Sequence, residues 1–157
     1  MNAPPPFNFA GRMLLVTVAT VSFLALLLLL VPALAQDEGE ALSKGIGPIE
    51  SVELGPIDET LVAAGKETFE LLCTACHKFE ERYVGPPLHR VTERRSPEWI
   101  MNMILNPTQM AMEDPIAFDL LAEYMTPMAD QSVTEEQARA ILEYFRSIDA
   151  ELPDETP

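Results

Sequence analysis

The chain has 157 residues, 48% of them apolar and 22% charged, with 14 Pro, 7 Gly and two Cys, a length that fits one domain with appendages. Acidic residues outnumber basic ones 25 to 10, for a formal charge of −15; proteins that grip nucleic acid neutralise phosphates with surplus Lys and Arg, so nucleic acid is excluded as a partner. Two Cys are too few for a disulfide scaffold, and a small compact domain then rests on a modest core, a cofactor, or both.

Residues 1–35 have a composition of their own. Arg12 is the only charged side chain before Asp37, and Met13 through Val31 form a mostly apolar run. Ala33-Leu34-Ala35 follows as a small-x-small cleavage pattern, with Gln36 next, so the segment reads as a secretory signal peptide. At about 1.5 Å per residue, residues 13–31 also nearly cross a hydrocarbon core of about 30 Å, which makes a retained membrane anchor the competing reading. In either case Arg12 stays on the cytoplasmic side and the acidic remainder is exported to the periplasm. Residues 36–57 are acidic and broken by Gly and Pro, with a near repeat of Gly47-Pro48-Ile49-Glu50 and Gly55-Pro56-Ile57-Asp58. Such composition predicts a solvated linker; the rival is that Ile46, Ile49, Val52 and Ile57 pin it across the domain of residues 58–157.

That domain reads as all-α. Asp58 as N-cap leads into Leu61, Ala64, Gly65, Thr68, Phe69 and Leu72 at helical spacing. Gly65 in mid-helix costs about 1 kcal/mol relative to Ala, which points to close approach by another helix. Ser96 as N-cap and Pro97 at N1 open a helix through Leu105 that stops before Asn106-Pro107. A Met- and acid-rich loop is expected from Thr108 to Asp114, and Asp114-Pro115 starts a further helix ending near Tyr124. Thr134 and Gln137 form a capping box for the last helix, whose stripe Ala138, Ile141, Phe145, Ile148 should cross the first.

Between the first two helices lies Cys73-Thr74-Ala75-Cys76-His77, a C-x-x-C-H motif of the kind that attaches c-type haem. Two thiols three residues apart reach the two vinyl groups on one haem edge, and the adjacent His is delivered to the iron. A thioredoxin-like pair would sit beside a βαβ pattern, and no clear strand run is present. Zinc held by Cys73, Cys76, His77 and His89 would strain the adjacent Cys76 and His77 within one tetrahedron. Trp99, near Arg94 and Arg95, has two readings: its indole N–H and one Arg meet a haem propionate, or it packs against the porphyrin or the core.

With these features in order, residues 58–150 resemble class I cytochromes c, small all-α electron carriers with one covalently attached haem c whose iron is ligated by His and Met. The resemblance rests on Gly65, Phe69 and Cys73, on Gly85-Pro86-Pro87-Leu88, and on the helix Ala138-Arg139-Ala140-Ile141-Leu142-Glu143-Tyr144-Phe145. It implies that the Pro86 carbonyl accepts a hydrogen bond from His77 Nδ1–H. It also implies a distal Met in the loop before the last helix, where Pro127-Met128 precedes Thr134 at the family's spacing; Met128 is the expected second ligand and Met125 the next. Met101 and Met103 read as core fillers, Met110 and Met112 as loop residues that stay minor candidates for the ligand, and His89 as a surface residue. A thioether opposite the imidazole implies a raised reduction potential.

The resulting expectation is an electron carrier of a bacterial respiratory chain, not an enzyme. It would pass single electrons from a quinol-cytochrome c reductase-type donor to an oxidase or reductase. Arg94-Arg95-Ser96-Pro97-Glu98-Trp99-Ile100 with Asn106-Pro107 is also similar to small cytochromes encoded beside nitrous oxide reductase, which implies that kind of acceptor. Two alternatives stay open: a haem enzyme or gas sensor with a vacant sixth position, and an anchored subunit of a larger respiratory complex. Residues 78–95 carry a local balance of +2, against 13 acids and two bases in residues 98–157, a dipolar arrangement suited to oriented docking.

Overall fold

The computed structural model describes residues 42–153, and its regular structure is entirely helical. Asp58 turns its carboxylate onto the amides of Thr60 and Leu61, at 2.8 and 3.3 Å, and so opens α1 (Glu59–Leu72). The last long helix, α6 (Glu135–Ala150), begins with a reciprocal capping box: Thr134 Oγ1 accepts from Gln137 N, and Gln137 Oε1 accepts from Thr134 N. These two helices cross at Gly65, where a Cβ would collide with the backbone carbonyl of Ala140. The crossing is closed by aromatic rings. Phe69 meets Phe145 edge-on at 5.5 Å, and Phe79 meets Tyr144 edge-on at 5.7 Å, contacts worth about 0.5–1.5 kcal/mol each beyond their area.

Three helices follow one another between the crossing pair, each with Pro in its first turn: α3 (Pro97–Leu105), α4 (Pro107–Glu113) and α5 (Pro115–Tyr124). Pro lacks the amide that a helix start leaves unpaired, and it disfavours helical geometry in the residue before it, so each Pro ends one helix and begins the next. Ser96 caps α3 through Trp99 N at 3.0 Å, and Asp114 caps α5 through Ala117 N at 2.9 Å. A single turn, α2 (Val91–Arg94), precedes them. The expected loop from Thr108 to Asp114 is therefore mostly helical, and Met110, placed in that loop by its sequence context, is fully buried in α4.

Residues 42–57 do not behave as a solvated linker. They belong to one compact unit with the helices, and side chains of α3, α4 and α6 satisfy their backbone. Asn102 accepts from Ile49 N at 2.9 Å and donates to Lys44 O and Ile49 O. Glu98 accepts from Val52 N at 3.1 Å, Met110 Sδ from Ile46 N, and Ser96 Oγ donates to Ser43 O at 2.7 Å. Farther along, Arg139 and Arg146 donate to the carbonyls of Glu53 and Gly55 while both grip the fully buried carboxylate of Glu143. A buried carboxylate needs such pairing to offset its lost hydration. Ile49, with 6% of its surface left exposed, anchors the strap in the core. The apolar run 13–31 and the cleavage pattern at 33–35 lie outside the described residues. Among the described residues no helix is long and apolar enough to cross a membrane.

Candidate haem site

Helix α1 ends by delivering the two thiols. The Cys73 N–H still donates to Phe69 O, and the Cys73 carbonyl then accepts from Cys76 N at 3.1 Å and His77 N at 2.9 Å, so all three residues of the motif sit on one tight turn. Both thiols are free, Cys73 half-buried and Cys76 exposed. Burial, and then the neighbouring Cys76, push the Cys73 thiol above its ordinary 9.0.

The loop after the motif folds back on it. Gly85 N donates to Cys76 O at 2.8 Å, Leu88 N to Lys78 O and His89 N to Phe79 O. This brings the Pro86 carbonyl to 3.3 Å from His77 Nδ1. With its proton on Nδ1, the imidazole donates there and leaves the Nε2 lone pair for a metal. Burial lowers the His77 pKa below 6.5, with the Pro86 hydrogen bond acting in the opposite direction, and a neutral ring is the form that ligates. Gly85 lies so near the ring that a Cβ there would sit 2.5 Å from His77 Cε1; only a residue without a side chain fits.

Cys73, Cys76, His77 and Pro86 line one side of a cavity of about 400 Å³, within the range of small-molecule and cofactor sites. Its other walls come from α1, α3, α5, α6 and residues 126–131, with Phe69, Ile104, Leu120 and Ile141 among the apolar contributors. Met128 lines it, half-buried, and so does Met103 on α3. Met125 does not: it ends α5 in the left-handed conformation and is 81% exposed. Met101 and Met110 are buried elsewhere, and Met112 is exposed. His89 lies against Phe79, its ring 5.7 Å away, outside the cavity.

Trp99 also lines the cavity, but its indole N–H donates to Asp114 Oδ1 at 3.0 Å. An indole has one hydrogen to give, so of the two readings of Trp99 the propionate bond gives way to a structural one, and the ring packs. The sequence signal for this is Asp114 itself, an N-cap with lone pairs to spare for a second donor. Arg94 and Arg95 remain at the cavity wall. Arg95 lies over the Trp99 ring at 5.2 Å, and burial, then Arg94, make its positive charge harder to hold, with Asp114 partly restoring it.

The donor set fits a covalently held haem: two thiols on one turn, a neutral imidazole beside them, apolar walls, and cations at one edge. Zinc does not fit, because among the described residues no three His, Cys, Asp or Glu are placed to hold one metal ion together. A thioredoxin-like site does not fit either, since the described residues contain no strand. Fold and site together define a small all-α protein built round one thioether-linked cofactor.

The family model described as cytochrome c matches residues 62–149, and the chain belongs to the cytochrome c family. It is similar to a cytochrome c from Rhodothermus marinus, at 46% identity over 73% of this chain and 100% of that one, with a TM-score of 0.69. An engineered form of the Rhodothermus marinus cytochrome, bound to a carbene intermediate, matches at 46% identity over 71% of this chain and 97% of that one, with a TM-score of 0.64. The cytochrome c domain of a Pseudomonas putida protein matches at 26% identity over 55% of this chain and 89% of that one, with a TM-score of 0.51. None of the curated proteins matches the chain. As a family member the chain binds covalently attached haem c with its iron, and the family's role is electron carriage between redox proteins.

Proposed function

We propose that this chain is an exported single-electron carrier of a bacterial respiratory chain whose haem iron is held by His77 and Met128. The observation that carries this reading is one cavity lined by Cys73, Cys76, His77 and Met128 together. A haem held there would supply one-electron redox chemistry. Cys73 and Cys76 fasten the ring, and Pro86 orients His77 through Nδ1. Met128, the one methionine of the expected ligand loop that lines the cavity, supplies a thioether. Arg95, and Arg94 whose guanidinium donates to His89 O and Pro87 O, would supply positive charge in the wall for the propionates, and Trp99 would pack without donating to them. Among the described residues no carboxylate and no second imidazole lines the cavity. Excess negative charge favours a donor and an acceptor with basic docking faces, a quinol-cytochrome c reductase-type protein on one side and an oxidase or nitrous oxide reductase-type protein on the other.

The test is optical. Oxidised protein should show a Met–iron charge-transfer band that Met128→Ala abolishes; survival of the band in that variant moves the ligand to Met103. Export, by cleavage after Ala35 or by anchoring through residues 13–31, is read from the intact mass of the mature protein: a start at Gln36 means release into the periplasm. A second reading, a haem enzyme or gas sensor with an open sixth position, takes its support from the engineered Rhodothermus marinus cytochrome bound to a carbene intermediate. Rapid binding of carbon monoxide to the reduced protein at neutral pH would favour it.

A further inference from the structure

Arg82 stands on the loop between His77 and Pro86, on the side of the cavity that presents the imidazole, yet its guanidinium reaches the end of α5. Nη1 donates to Glu123 Oε1 at 2.7 Å, Nη2 donates to the Glu123 carbonyl at 3.0 Å, and the guanidinium carbon lies 4.0 Å from the centre of the Tyr124 ring. An exposed ion pair alone contributes little, because water and salt screen it. Three contacts to two adjacent residues fix the plane of the guanidinium, and that geometry is specific to Arg. The carbonyl it takes is one that the end of a helix leaves unpaired, where a cation also suits the helix dipole.

What Arg82 grips decides its consequence. Glu123 and Tyr124 are the last residues of α5; Met125 then reverses the chain with φ of 53°, and Met128 reaches the cavity three residues later. Val84 on the gripping loop and Tyr124 on the gripped helix both line that cavity, so the contact joins two segments of its wall. From Thr126 to Val133 the hydrogen bonds among the described residues are local, Gln131 to Ala129 O and Ser132 N to Asp130. Polar tethers on the Met128 segment therefore sit at its ends, the capping box of α6 at one and the Arg82 contact at the other.

We propose that Arg82 is a positioning residue that latches the Met128 segment to the His77 loop and so sets how readily a small ligand from solution displaces the Met128 thioether from the haem iron. The inference rests on Met128 being the second axial ligand.

Holoprotein carrying Arg82→Ala, Arg82→Lys or Glu123→Gln is compared with the wild type. Two readings are taken: imidazole titration of the oxidised form, followed through the Met–iron charge-transfer band, and amide hydrogen exchange of residues 126–131. Arg82→Ala should bind imidazole about three- to tenfold more tightly, the range expected for an exposed ion pair plus a cation–π contact. Exchange at residues 126–131 should quicken by a similar factor, with α6 unchanged. Arg82→Lys keeps the charge but loses the planar stack, and should fall between; Glu123→Gln should give a smaller rise and serves if Arg82→Ala fails to fold. Unchanged imidazole affinity and exchange in these variants, with the band intact, overturn the latch and leave Met128 standing. A wild type without the band, or a band that survives Met128→Ala, overturns the ligand assignment and the latch with it.

Discussion

Trp99 donates its indole N–H to Asp114 Oδ1 at 3.0 Å, and both residues are buried. The same carboxylate caps α5 through Ala117 N and accepts from Ser43 Oγ at 3.1 Å. One side chain thus ties together the cavity wall, a helix start and the strap.

Replacing Asp114 by Ala leaves the Trp99 and Ala117 N–H groups unpaired in the interior. Losing a cap costs about 1 kcal/mol and stranding a buried donor about 1–3, so the holoprotein should lose roughly 2–4 kcal/mol in urea denaturation. Asp114→Asn, which keeps one accepting oxygen, should lose less than half of that.

At an exposed helical site, Gly→Ala stabilises by about 1 kcal/mol. At Gly65 the added methyl meets the Ala140 backbone, which cannot rotate away, so Gly65→Ala should destabilise by about 3 kcal/mol or more. A gain in the denaturation midpoint would mean that α1 and α6 do not touch at this position.

Gly85→Ala presses on the His77 ring and stretches its contact with Pro86 O. The variant should accumulate with a lower haem-to-protein absorbance ratio than wild type, and its denaturation free energy should fall by about 1–3 kcal/mol. Equal haem loading and stability would mean that the ring has room to move.

Glu98 carries a pH dependence whose sign is set by its partners. Burial pushes its carboxyl up, but the amides of Glu98 itself and Val52, then Lys44 at 3.6 Å, hold it below its ordinary 4.5. A group depressed on folding contributes stability above its unfolded pKa, and that contribution disappears as pH falls through the folded value. The strap should therefore loosen below about pH 4.5. Glu98→Gln should flatten that part of the acid dependence of the urea midpoint and lower stability near pH 7.

Asn102→Ala removes the partners of Ile49 N, Ile49 O and Lys44 O in one step. Amide exchange at Ile49 should rise by at least tenfold, corresponding to about 1–3 kcal/mol for stranded backbone groups.

Much of the fold was legible in short stretches of chain. Asp58, Ser96, Asp114 and Thr134 cap the helices expected of them, and the oxygen that caps lies within three residues of the amide it serves. Helix α4 is hidden in the sequence because Pro107 and Pro115 bracket so few residues that they resemble loop punctuation. The strap is hidden too, because its composition is that of a linker. Its partners are on other elements, and the signal was indirect: Glu98 and Asn102, polar residues one turn apart in the apolar helix α3.

By itself the sequence determined where the helices begin and end and that two thiols and an imidazole share one turn, because capping bonds and the Cys-x-x-Cys-His spacing act over a few residues. Tertiary structure decided which methionines reach the cavity, that Trp99 donates its hydrogen bond to Asp114, and that residues 42–57 lie in the core's grasp. Those outcomes depend on groups far apart in the chain, and burial forces each polar atom to find whichever partner the packing has placed nearby.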